Sequence, residues 1–134
     1  MARALTAYLK KTDVPSRKAL QAALDPLGFK LVVDDDYAPL KSKGYVPCAL
    51  DGEDAGFDLR FQEVEAETRS KYALAEDSVA MAFRWAGDPR EELAALAVVA
   101  ALAQQFGAIV EDPVGAALSA DELLARARKA SNSL

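Results

Sequence analysis

SVAMAFRWAGDPREELAALAVVAALAQQF, residues 78–106, is the stretch that decides the fold class. Its opening puts Val79, Met81, Phe83 and Trp85 on one side and Ala80, Ala82 and Arg84 on the other, the period-two pattern of a strand with one buried face. Asp88-Pro89-Arg90-Glu91 then reads as a helix start. The aspartate side chain can cap backbone N–H groups that have no partner in the first turn, and Pro89 stands at the first helical position, where a missing N–H costs nothing. Glu91 follows at the third position, facing the positive end of the helix dipole. The helix should run to about Phe106 and stop at Gly107. From Leu93 to Ala103 it is apolar nearly all round, which predicts the most buried helix of the chain, covered on more than one side.

Outward from this core the signals continue in both directions. Ala108-Ile109-Val110 reads as a short strand and Asp112-Pro113-Val114-Gly115 as a turn. Ser119-Ala120-Asp121-Glu122 is a capping box that opens a last helix to about Lys129. Before residue 78, Phe57 to Val64 alternates Phe57, Leu59 and Phe61 against Asp58, Arg60 and Gln62, and Asp51 to Gly56 reads as a hairpin loop. Tyr45 to Leu50 is strand-like, although Pro47 lacks an N–H and would confine it to an edge or a bulge. Phe29 to Val33 is a further strand, closed by Asp34-Asp35-Asp36 and Pro39. Ser16 to Leu24 predicts a helix, ended by Asp25-Pro26 and Gly28. Residues 2–11 place Leu5, Tyr8 and Leu9 at i, i+3 and i+4, the spacing of a short amphipathic helix. The resulting order is ααββββαβα. It predicts one α+β domain over residues 1–134, a mainly antiparallel sheet of four to five strands with helices packed on it.

Composition removes several classes of function. The chain has no histidine, so a Ser-His-Asp or Cys-His nucleophile, an imidazole acid–base group and a histidine metal ligand are all excluded. Cys48 is the only cysteine. It follows Pro47 in an apolar strand and reads as a small core residue, and a lone thiol fits a reducing compartment such as the cytoplasm. The glycines are scattered and form no phosphate-binding loop. Asp51, Glu53 and Gly56 match positions one, three and six of a calcium loop, but Ala55 and Gln62 stand at positions five and twelve, so that template fails. No catalytic, cofactor-binding or metal-binding residue is assigned. Arg3, Lys10 and Lys11 interrupt the first residues and leave no apolar leader segment. The longest apolar run, Leu93 to Ala103, is shorter than the roughly 20 residues of a membrane span.

The formal charge is −5, and residues 31–67 hold three Lys/Arg against ten acids, a local balance of −7. Such a balance disfavours nucleic acid and anionic membrane as partners and favours a basic protein surface. The residues assigned to partner binding are Asp34, Asp35, Asp36, Asp51, Glu53, Asp54 and Asp58, with Tyr37 and Tyr45 as aromatic anchors beside them. A solvated face without a partner is the plainer account of the same charges.

The C-terminal half carries a resemblance. The strand Val79-Ala80-Met81-Ala82-Phe83-Arg84-Trp85, the Asp88-Pro89 helix, Gly107-Ala108-Ile109-Val110-Glu111-Asp112-Pro113 and Leu118-Ser119-Ala120-Asp121-Glu122-Leu123-Leu124 together resemble a layout found in small bacterial immunity proteins of polymorphic and type VI secretion toxins. The likeness covers less than half of the chain. It implies a non-enzymatic cytoplasmic protein that binds a cognate toxin and occludes its active site, the acidic surface meeting a basic cleft. Two other classes compete. A secretion chaperone or homodimer would use the Ala-rich helix 93–103 as a close-packed interface. A carboxylate- or metal-dependent enzyme would use Asp34 to Asp36.

Overall fold

The computed structural model describes residues 3–134. In chain order the elements are β1 (Ala4–Lys10), α1 (Arg17–Leu24), β2 (Leu31–Val33), β3 (Lys43–Leu50), β4 (Glu53–Glu63), α2 (Ala66–Tyr72), β5 (Ser78–Arg84), α3 (Pro89–Gln105), β6 (Ile109–Glu111), β7 (Ala117–Leu118) and α4 (Ala120–Asn132). The strands form one seven-stranded sheet in the order β2-β3-β4-β5-β1-β6-β7. Every neighbouring pair is antiparallel. The class is α+β as expected, but the sheet is larger than the four to five strands predicted. No helix among the described residues is long and apolar enough to cross a membrane.

The largest correction is at the start of the chain. Residues 4–10 are not a helix but the strand β1, set between β5 and β6. Ala2, where the expected helix began, lies outside the described residues. Leu5, Ala7 and Leu9 enter the main core, while Tyr8 is buried on the opposite face. With Tyr8 buried on the outward side as well, the strand loses the polar alternation by which strands are recognised, and what remains of its pattern fits a helix equally well. Two further elements were not anticipated: the seven-residue α2, polar from Glu67 to Lys71, and the two-residue β7.

The residues that start and stop the other elements behave as their chemistry requires. The Asp88 carboxylate accepts from Arg90 N at 2.9 Å, and Pro89 stands at the head of α3. Ser119 and Glu122 complete the capping box of α4, Oγ accepting from Glu122 N and Oε1 from Ser119 N. The β3–β4 hairpin is tighter than the expected six-residue loop. Leu50 pairs with Glu53, and the turn is Asp51-Gly52 alone, both with positive φ, the mirror-image turn whose twist matches that of the strands it joins. Pro47, expected at an edge or a bulge, lies in a strand that pairs with β4 along its length and with β2 only from Cys48 to Leu50. Its carbonyl accepts from Asp34 N just past the end of β2. In an extended strand the N–H points to the same side as the carbonyl, so the donor it lacks falls where that ladder has already ended.

Helices α1, α3 and α4 cover one face of the sheet. Leu93 through Leu102 are all buried, because the sheet lies on one side of α3 while α4 and α1 close the others. The alanines of that run let these helices approach closely. This packing uses up the helical surface that a dimer through residues 93–103 would need. Phe57 and Phe83, 5.2 Å apart between ring centroids, anchor the core beneath α3; such a pair adds about 1 kcal/mol beyond its buried area. On the opposite face the only helix among the described elements is α2. It packs Tyr72 and the following Leu74 over Tyr8, Val64 and Ala80 and leaves the rest of that face bare.

Candidate functional site

The residues assigned to partner binding gather around the β2–β3–β4 corner of the sheet, but they do not act as one acidic surface. Asp34 is a turn-former: its Oδ2 accepts from Asp36 N at 3.1 Å and its carbonyl from Tyr37 N at 3.1 Å. That turn sends Tyr37 inward. Tyr37 is 3% exposed and donates its hydroxyl to Pro15 O at 2.8 Å, and burial pushes its phenol far above the ordinary range. Tyr37 is therefore a core residue and not the surface anchor expected of it.

Four of the acids already have cations. Asp35 meets Arg17 at 3.2 Å, Asp51 meets Lys30 at 3.7 Å, Glu53 meets Arg90 at 2.6 Å and Asp58 meets Arg60 at 3.0 Å. Exposed pairs of this kind add little to stability, yet each sets a positive charge directly beside one of the assigned acids. Among the described residues, the assigned acids Asp34, Asp36 and Asp54 stay exposed without such a pair. Asp34, Asp35 and Asp36 also diverge in their contacts, and no group of three or more His, Cys, Asp or Glu side chains among the described residues is gathered to hold a metal ion.

Register shows what the corner presents. Val32, Ala49 and Asp54 form one cross-strand row, and Tyr45, Asp58 and Arg84 another. Along β3 the outward side reads Tyr45, Pro47, Ala49, opposite the buried Val46, Cys48 and Leu50. Val32 is 48% and Tyr45 56% exposed, so an apolar stripe runs across the corner with Asp54 and Asp58 beside it. Tyr45 is fixed in place. Its hydroxyl donates to Ala55 O at 3.1 Å and it lies over Gly56, where a Cβ would meet that ring and would stand 2.6 Å from Val46 O. Its phenol is raised by partial burial and then by the nearby acids Glu91, Asp54 and Asp88 together with Cys48. Cys48 beneath is buried, and burial followed by Asp34 pushes its thiol up to about 12, which keeps it protonated and unreactive.

The free edge of β2 is closed by side chains of α1. Gln21 Oε1 accepts from Val33 N at 2.9 Å, and its Nε2 donates to Leu31 O at 2.8 Å. Arg17 Nε donates to Val33 O at 2.7 Å. The amide thus supplies the donor and acceptor that a neighbouring strand would bring, and a partner strand finds few unpaired groups there. A partner at this corner must use the face.

Farther along the same face two different arrangements adjoin. Under α2, Glu111 accepts from Tyr72 Oη at 2.5 Å, Lys71 Nζ at 3.1 Å and Tyr8 Oη at 3.4 Å. Burial would raise its pKa, but the hydrogen bonds from Tyr72 and Lys71, the Lys71 charge and Tyr8 together hold it below the ordinary value. Lys71 also donates to Gly115 O at 2.7 Å, so this network ties α2 to β6 and to the turn after it. Next to it lies an open concavity of about 850 Å³, lined by Ala4, Thr6, Ala82, Arg60, Arg84 and Asp58 among others. None of Thr6, Ala82 and Arg84 was singled out as functional from the sequence. The one available signal was a strand whose outward positions, Ala80 and Ala82, are small and apolar where a solvated face carries larger polar groups.

Compared with known protein families, curated proteins and solved structures, the chain matches none.

Proposed function

We propose that this chain is a non-enzymatic protein-binding inhibitor, an immunity protein of the cytoplasm that occludes the active site of a cognate bacterial toxin. The observation that supports the reading is the outward face of the β2–β3–β4 corner. There the exposed Val32 and Tyr45 continue through Ala49 and Pro47 with Asp54 and Asp58 at the side. An apolar strip with a charged rim is the anatomy of a protein interface, and the acids would steer a basic cleft toward it. With the β2 edge closed by Gln21 and Arg17, contact through this face is favoured over strand addition.

The test begins with capture of a partner by the tagged protein from its own source's lysate, at low and high salt. The expected result is one stoichiometric protein that is toxic when expressed alone and harmless when expressed with this chain. Against that partner, Tyr45→Ala should weaken binding by about 2 kcal/mol, roughly thirtyfold. Asp54→Lys should slow association and flatten its salt dependence. Unchanged affinity of both variants at low salt would remove the interface from this corner.

A further inference from the structure

We infer that the open face carries a second site, which adjoins the corner and shares Asp58 with it: a well above Ala82 that binds a small oxyanion, the phosphate or carboxylate group of a small molecule. Ala82 is the hub of the arrangement. Its cross-strand partners are Arg60 on β4 and Thr6 on β1, and Arg84 follows two residues later on the same side of β5. Side chains in these positions have Cβ atoms about 5–8 Å apart, and Arg60, Arg84 and Thr6 all line the concavity whose floor includes Ala82. The concavity of about 850 Å³ lies within the usual span of small-molecule sites, about 300–1,000 Å³.

Charge identifies the class of ligand. The chain is acidic overall, yet this concavity is lined by two arginines and one carboxylate, Asp58. Asp58 holds Arg60 through two contacts, 3.0 Å from Nε and 3.4 Å from Nη2, and stands directly across from Arg84. Arg84 makes no ion pair within 4.0 Å among the described residues. Glu111, the next residue in the row beyond Thr6, is taken by Tyr72 and Lys71. The guanidinium fork matches the paired oxygens of carboxylate or phosphate. In the free protein Asp58 serves as the internal counter-ion of Arg60, and a bound oxyanion takes its place.

The experiment uses the full chain and two probes, inorganic phosphate and succinate, followed by titration calorimetry and by amide NMR shifts at Thr6, Ala82 and Arg84. Saturable binding in the millimolar range is expected for at least one probe, and the tighter one assigns the source as phosphate ester or carboxylate. Arg84→Gln should weaken it about tenfold. Ala82→Leu, which sets an apolar side chain on the floor between Arg60, Thr6 and Arg84, should weaken it at least tenfold, and Asp58→Asn, which removes the competing carboxylate, should tighten it. No saturable response to either probe overturns the site, as does a response that survives both Ala82→Leu and Arg84→Gln. If Ala82→Leu fails to fold, Arg84→Gln decides alone, since that side chain is exposed. No protein partner enters the assay, so its result and the fate of the inhibitor reading stay independent.

Discussion

Ala80 and Ala82 stand two residues apart on the same outward side of β5, and their surroundings differ completely. Ala80 is 4% exposed, packed under Tyr72 and Leu74 with Tyr8 across from it. Ala82 lies at the floor of an open concavity ringed by charged groups. Methyl-sized side chains on a sheet face leave a hollow whose apolar walls are costly to wet. At Ala80 the chain fills that hollow itself with α2. At Ala82 nothing in the described chain does so, and arginines stand around the rim. Small outward residues on a strand thus announce a covering layer, and the side chains around them say whether it comes from the same molecule.

The other face of β5 sets the scale for a fully packed position. Phe83 is 0% exposed and packs against Phe57 with the rings tilted, so Phe83→Ala should cost about 3–5 kcal/mol, measured by urea unfolding. A loss under about 1 kcal/mol would mean that α3 is not seated on the sheet as described. Ala80→Leu comes next. It forces extra methyl groups under Tyr72 and Leu74 and should cost about 2–3 kcal/mol. Hydrogen exchange should show α2 loosening first, because that short helix is held from one side only.

Glu111→Gln probes the network that ties α2 down. Removing a carboxylate that accepts from two tyrosines and a lysine should cost about 1–2 kcal/mol at neutral pH. The sign with pH follows from the depressed pKa of Glu111 in the folded chain. Its contribution is fully present above the ordinary value of 4.5 and is lost as pH falls through the lower folded value. The stability gap between the two proteins should therefore hold constant above about pH 5 and narrow in more acidic buffer. A gap that persists unchanged well below that range would place the stabilisation in packing instead of the carboxylate.

How far the sequence could be read follows the same division between packed and open positions. β5, α3 and α4 were legible because caps and one-sided alternation are local chemistry. β1 was not, because Leu5, Ala7, Leu9 and Tyr8 are buried on two faces and only the pairing with β5 and β6, distant in sequence, shows why. The acidic candidates were legible as charges but not as partners. Arg60 and Asp58 lie two apart on one strand, whereas Arg90 and Glu53 or Arg17 and Asp35 meet only after folding. Tyr37 looked like a surface aromatic among acids until the Asp34 turn brought it under Pro15.

Ala82→Leu is the smallest effect expected on stability and the sharpest test of the comparison. The same substitution that overpacks Ala80 meets open space at Ala82, so its stability should stay within about 0.5 kcal/mol of the parent. If it instead costs as much as Ala80→Leu, the hollow is already filled in solution, and Ala82 is one more core residue. If it raises stability, the new side chain is covering apolar floor that the chain leaves wet. That gain would still fit the well, because a site held open for a ligand forgoes packing that the fold could otherwise make. Paired with the loss of oxyanion binding, a neutral or stabilising Ala82→Leu would separate the two alanines by purpose as well as by position.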